Sequence, residues 1–420
     1  MPKVTTSTAS NGLPIHKIEL PGTRALTILT AFDAGARTER PEENGMAHFL
    51  EHLVFKGGQK YPTHTEVNET AERLGAVLNA YTSHDLVAFH ITARAEKAGE
   101  AIDLLTDFVG RPALDEEELD RERGVVIQEI NRYDDEPSSV SDNLIDAATY
   151  GDHPLGRTVL GPAEHLRNTF TKEGIMDFRE RRWSGRTGGA FLVGNLEHLP
   201  EDSELDEYFS RFPDLPGAEA AEAAPAHHSD TLVETRDTNQ SHLRLIYRPQ
   251  VDVTDPSQRA AAAIYSTLLG GSMGSRLFSE IREKLGLAYS VSAFSFSHAD
   301  IPGLQLSAGL DSEKCIEAYN RMREIVNELR DDGPTEEEVE RARSYTAGAR
   351  VLAFERSGTV ASHAAGQSIV RGESVDPDVS IATLDAVTYE QVVAVAKGVP
   401  DTPSVACVGP HDASDFAVAG

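Results

Sequence analysis

The feature that most limits how this chain folds is a long internal repeat. Residues 114–122 read LDEEELDRE, and 220 residues later residues 334–342 read PTEEEVERA. In both copies a residue able to cap a helix, Asp115 or Thr335, precedes a run of glutamates that favours a helix start. A period this long does not describe a solenoid of about 20 to 50 residue units; it describes a duplicated domain. The length of 420 residues agrees, since domains of about 150 residues allow two or three. Between the copies, residues 215–229 (LPGAEAAEAAPAHHS) lack apolar periodicity and read as a linker. The expected domains are therefore 1–214 and 230–420.

Each half mixes two periodicities. Alternation of period two marks strands at 25–32, 86–94, 242–247 and 304–308, while helical spacing marks 95–109, 116–133, 258–269 and 336–354. The fold class that follows is α+β, with two duplicated sandwich domains, each a mostly antiparallel sheet covered by helices.

Charge narrows the partners. Lys plus Arg number 39 and Asp plus Glu 68, for a net charge of −29 that repels a phosphate backbone and argues against nucleic acid. The acidity has two compatible readings, solubility or attraction of basic substrates. The only cysteines, Cys315 and Cys407, sit in a helical and a strand context; each reads as a small core residue rather than a disulfide partner or metal ligand. No secretion signal opens the sequence and no stretch near 18 apolar residues follows, so a cytoplasmic protein without a membrane partner is expected.

The chemistry concentrates at residues 45–58, GMAHFLEHLVFKGG. On a helix, His48 and His52 lie one turn apart, so both imidazoles project from one face toward a shared metal ion. Glu51 shares that face, close enough to act as a general base without occupying a coordination position. A catalytic zinc site takes three protein ligands and an open position, which calls for a third donor. Residues 121–132 supply one: Val125, Val126 and Ile130 form an apolar stripe, and Glu122 and Glu129, seven apart, fall near one face. Glu129 is assigned to the metal and Glu122 to orienting a ligand.

These residues resemble the pitrilysin, insulysin and mitochondrial-processing-peptidase family of zinc metallopeptidases, whose signature is His-x-x-Glu-His. Gly35, Arg37, Glu39, the 45–58 segment, Gly75, the 79–83 segment NAYTS, Glu122 and Glu129 carry the likeness. The family's third ligand follows the second histidine after 76 residues, and that count from His52 reaches Glu129. The resemblance implies one Zn2+ per chain, and an edge strand on which Asn79 and Ala80 bind a peptide as an added strand. Read from its own sequence context, Asn79 is a turn residue at a strand entry rather than a substrate contact.

In the second half, residues 270–292 (GGSMGSRLFSEIREKLGLAYSVS) resemble the family's second signature, which implies that Arg282 and Tyr289 bind substrate near the scissile bond. By residue type alone they are a surface helix charge and a strand aromatic. At the 220-residue offset Glu122 and Glu129 fall opposite Ala342 and Ala349, so the second half has no such metal site. The stretch His84 to Phe89 (HDLVAF) departs from the family pattern, and side-chain pocket preferences are not carried over. His84 itself reads as a loop histidine.

What the resemblance implies is a zinc endopeptidase with Glu51 as base, acting on unfolded peptides inside a clamshell chamber formed by a homodimer. A heterodimer with a paralogue is the variant of that assembly. The rival functions are a non-catalytic peptide-binding or regulatory subunit and a dedicated leader-peptide processing peptidase.

Overall fold

The computed structural model describes residues 3–216, 220–225 and 228–417. The expected linker falls partly outside these residues, at 217–219 and 226–227, and His227 with it; the described remainder of 215–229 holds neither helix nor strand.

Two sheets are present. The first is built from β1 (Val4–Thr8), β2 (Pro14–Glu19), β3 (Ala25–Phe32), β4 (Val77–Thr82), β5 (Val87–Arg94) and β6 (Gly188–Gly194), in the order β1-β2-β6-β3-β5-β4. Only the β2–β6 pairing is parallel. The second comprises β7 (Thr231–Thr235), β8 (Gln240–Tyr247), β9 (Ala288–Ser297), β10 (Pro302–Asp311) and β11 (Ser404–Gly409), in the order β7-β11-β8-β10-β9. Here too only one pairing, β7–β11, is parallel. Dropping β1, the two orders superpose strand for strand, which is the architecture of the repeat and the α+β class expected from it.

Both faces of the first sheet are apolar because β3 buries alternate residues on opposite sides. Leu26, Ile28 and Phe32 meet the helices α1 (Met46–Val54), α2 (His64–Leu74) and α3 (Ala98–Gly110), while Leu29 and Ala31 pack with Val360, Ala361 and Ala364. The long helix α4 (Glu116–Asp135) adds Leu119, Val126 and Ile130 to the first of these layers. In the second sheet, Leu243, Leu245 and Tyr247 face Ile264, Met322 and Ile325, while Ile246 and Ala406 face Ile145 and Ala148 of α5 (Pro137–Tyr150).

The covering helices explain how the chain divides. One compact unit holds Met1–Ile130, Thr158–Glu222 and Leu352–Val379; the other holds Asn131–Arg157, Ala223–Val351 and Ser380–Gly420. The units thus differ from the contiguous stretches 1–214 and 230–420. Helix α5 covers the second sheet, and Ser357–Ala365 covers the first, where Ser357 Oγ lies 2.9 Å from Thr27 Oγ1. A strand apolar on both faces needs a second covering layer, and each sheet takes it from the other half of the chain. Among the described residues no single helix is long and apolar enough to cross a membrane.

Candidate active site

Helix α1 is fixed at its start by a buried carboxyl group. Glu39 Oε1 accepts the Ala47 N–H at 2.7 Å, and Oε2 accepts the Gly45 N–H at 2.9 Å and Asn44 Nδ2 at 3.1 Å. Gly45 itself sits at φ 96°, and a Cβ there would lie 2.4 Å from the Leu160 carbonyl, so only glycine fits. From that start Met46, Phe49, Leu50, Leu53 and Val54 point into the core. The helical period then leaves His48, Glu51 and His52 on the face they share.

The two imidazoles stand edge to face, with ring centroids 4.6 Å apart. Glu129 comes to them from α4: its Oε2 is 3.3 Å from His52 Nε2 and 3.8 Å from His48 Nε2. One donor atom of each of the three residues lies within 4.8 Å of the others. His84 belongs to no such cluster among the described residues. The stripe expected on α4 needs one correction. Val125 is 52% exposed, and the buried stripe is Leu119, Glu122, Val126 and Ile130. The reason is angular: Val125 sits beside Val126, about 100° around the helix from the core-facing line.

Glu122 is 4% exposed and carries two partners. His52 Nδ1 donates to its Oε1 at 2.9 Å, and Lys56 Nζ pairs with its Oε2. Burial alone would raise this carboxyl, but the bonds from His52 and Lys56 hold it below the usual carboxylate range. The consequence for His52 is a fixed tautomer: with the proton on Nδ1, the lone pair of Nε2 faces Glu129. Burial pulls the His52 pKa down, yet the Glu122 bond and charge, with Glu129 and Glu51 behind them, push it up overall. His48 lacks that help, and burial, reinforced by the charge of His52, pushes it down to about 4. It is neutral and a lone-pair donor at ordinary pH.

The arrangement fits a zinc ion. Ligand distances of about 2.0–2.2 Å in a tetrahedron place donor atoms roughly 3.4 Å apart. The spacings of 3.3 and 3.8 Å bracket that value and exceed an ordinary hydrogen bond. Two imidazoles and one carboxylate are also the donor set of a catalytic rather than a structural zinc site.

Glu51 lies outside that triangle. Its Oε2 accepts the Thr82 hydroxyl from the end of β4, and burial raises its carboxyl against the pull of Thr82 and His52. Strand β4 is the edge of its sheet, paired on one side only, by β5. Asn79 lies within this strand rather than at a turn, exposed, its Oδ1 accepting the Ala80 N–H at 2.9 Å. Thr82 and Lys56 were not foreseen from sequence. Lys56 carried a signal, standing one turn beyond His52, whereas Thr82 reaches Glu51 only through the register of the sheet.

In the other unit, Arg282 lies in the helical segment Phe278–Lys284, its guanidinium 4.8 Å from the Phe278 ring centroid and its Nε 3.6 Å from Glu283 Oε1. Tyr289 lies in β9, the edge strand of its sheet, and is 81% exposed.

Residues 17–163 match the insulinase family, peptidase family M16, and residues 169–345 match the peptidase M16 inactive domain. The zinc protease YmxG of Bacillus subtilis, itself described as uncharacterized, is 30% identical over 393 residues, 93% of this chain and 94% of the relative. The chain belongs to peptidase family M16. An uncharacterized zinc protease of Streptomyces coelicolor is also 30% identical, over 96% of this chain and 89% of its own. Among solved M16-like folds, a peptidase M16 inactive domain from Pseudomonas fluorescens superposes with a TM-score of 0.88 at 19% identity, covering 98% of this chain and 99% of that one. A protease from Helicobacter pylori gives 0.84 at 21%, covering 98% and 100%. These two establish the fold. Within the M16 frame the clustered His48, His52 and Glu129 lie in the first unit, and the match to the inactive domain covers much of the second half.

Proposed function

We propose that this M16 chain is a zinc-dependent endopeptidase. The observation that carries the reading is the convergence of the helix pair His48 and His52 with Glu129, which follows His52 after 76 intervening residues, at spacings suited to one ion. The names of the relatives, zinc proteases, support it. When bound, zinc supplies Lewis-acid polarisation of a peptide carbonyl and makes an attacking water more acidic.

The chain's own residues do the rest. Glu51, held by Thr82 and raised by burial, takes the proton of the attacking water and is placed to pass it to the departing amine. Glu122 keeps the His52 proton on Nδ1, so that Nε2 remains a donor. The open edge of β4 offers backbone groups to a peptide laid alongside, with Asn79 and Ala80 at the contact. An added strand must be extended, which favours unfolded peptides over folded proteins. In line with the family resemblance, Arg282 and Tyr289 hold the peptide near the cleaved bond, and two chains close around a chamber.

The test is cleavage of a quenched fluorescent peptide library by the purified protein and by Glu51→Gln, with zinc quantified in both. The expected result is cleavage by the wild type, and a loss of at least about 100-fold with zinc retained in the variant. Zinc bound with no cleavage by either would overturn the reading in favour of a peptide-binding subunit or one half of a heterodimer.

A further inference from the structure

The fold brings together the chain's only two cysteines, Cys315 and Cys407, which the sequence separates by more than 90 residues. Cys315 opens the helix Cys315–Asp331, and Cys407 lies inside β11; both are fully buried. His411, just past the end of β11, is 9% exposed, and a donor atom of each of the three lies within 4.8 Å of the others. All three belong to the second unit, outside the His48, His52 and Glu129 cluster.

A chain of hydrogen bonds settles which nitrogen of His411 carries a proton. Ser312 Oγ donates to the Thr238 carbonyl at 2.9 Å, which uses its only proton, since a carbonyl can only accept. Ser241 Oγ therefore donates to Ser312 Oγ at 2.9 Å, and its own proton is used as well. The 2.8 Å contact between Ser241 Oγ and His411 Nε2 then has one polarity: Nε2–H donates. The remaining lone pair of the ring is on Nδ1. Fixing a ligand imidazole by hydrogen-bonding its other nitrogen is what metal sites do. Burial lowers the His411 pKa, which keeps the ring neutral.

We propose that Cys315, Cys407 and His411, the last through Nδ1, form a second metal site, for a thiophilic d10 cation such as Zn(II) or Cu(I). Two thiolates and one imidazole are soft donors that favour such ions over Mg(II) or Ca(II). Two thiolates also cancel the charge of a divalent ion, so the filled site adds no net charge to the core. The Cys315 thiol and burial both push the Cys407 thiol above its ordinary range, so it is protonated when no ion is bound. Metal binding then releases two protons, one from each thiol, as two sulfur–metal bonds form. Zinc–sulfur bonds of about 2.3 Å separate two tetrahedral sulfurs by roughly 3.8 Å, a separation that lies inside the 4.8 Å bound on these donor atoms.

The probe is cobalt(II) added to the chelator-treated, full-length chain under reducing conditions. Thiolate-to-cobalt charge transfer gives an intense near-ultraviolet band that imidazole and carboxylate ligands do not produce. The expected band disappears in Cys407→Ser and Cys315→Ser, and persists in Glu129→Ala, where it saturates at one equivalent per chain, which separates it from the first cluster. His411→Gln, near the end of the strand, is expected to keep the fold and weaken cobalt binding at least about tenfold. Because the chain has no other cysteine, absence of the band in the wild type overturns the proposal without any variant. So does a band that survives both cysteine substitutions.

Discussion

Helix α4 and its counterpart Glu336–Phe354 start alike and carry different chemistry. Asp115 Oδ1 accepts the Glu117 N–H at 2.9 Å, and Thr335 accepts the Glu338 N–H at 3.2 Å while Glu338 returns the bond, so both caps read from sequence are present. About two and four turns on, α4 presents Glu122 and Glu129 where the other helix has Ala342 and Ala349. Ahead of them the contrast repeats: α1 carries His48, Glu51 and His52, while the helix after β8, Pro256–Ser266, carries a run of alanines from Ala260 to Ala263. The second unit shows that this fold closes with a buried alanine, Ala342, at the place of Glu122, while Ala349, opposite Glu129, is exposed. Buried imidazoles and carboxylates cost desolvation that the architecture does not require, and their presence in the first unit supports the metal chemistry proposed for them.

Exchanging residues across the repeat tests this. Glu129→Ala gives α4 the residue of its counterpart, and it is expected to lose bound zinc and to reduce peptide cleavage by more than about 100-fold, the upper range for loss of a mere supporting partner. Unfolding in the presence of chelator should change by less than about 1 kcal/mol, since the alanine helix of the second unit holds its place. A large loss of stability in chelator would break the comparison, because Glu129 would then be part of the scaffold. Glu122→Ala comes next, with zinc affinity expected to fall about 10- to 100-fold as His52 loses the bond that fixes its tautomer. Lys56→Met should cost less than about tenfold, because it removes one of two partners of Glu122 and leaves the His52 bond. Isothermal titration with zinc ranks all three.

The order of these effects follows from what was local in the sequence. The spacing of His48, Glu51 and His52 on one helix, and of Glu122 and Glu129 two turns apart, needed only the helical period to be read. Strands such as β3 and β5 were legible for the same reason, because alternation is a property of the segment itself. Val125 shows the limit: adjacent valines share hydrophobicity, and only the neighbouring layer decides which is covered. The exchange of α5 and Ser357–Ala365 between sheets left no mark, since an amphipathic helix does not encode which apolar face it meets. Thr82 with Glu51, and Cys315 with Cys407, depend on tertiary placement in the same way. Arg282 and Tyr289 entered through resemblance alone, and both are exposed in the second unit.

A smaller effect separates the two units by sign. Glu39 and Asp255 both accept N–H groups at a helix start, Asp255 from Ser257 at 2.8 Å. Glu39 is buried, and desolvation pushes its carboxyl from 4.5 up to about 8 against the pull of the Ala47 and Gly45 N–H groups. Asp255 is held below 3.8 by its bonds to Ser257. Between about pH 4.5 and 8 the folded chain therefore keeps a proton on Glu39 that the unfolded chain has released, and stability falls as pH rises through that window. The slope approaches about 1 kcal/mol per pH unit for one such group. Glu39→Gln, neutral throughout, should flatten it in urea unfolding measured at several pH values. Asp255 contributes in the opposite sense: its stabilisation is complete above about pH 4 and is lost as pH falls through its depressed folded value. Asp255→Asn should thus be nearly silent at pH 7, where asparagine caps as well as aspartate, and alter only the acid limb. If the two substitutions instead changed the pH profile with the same sign, burial would not be what distinguishes the two helix starts.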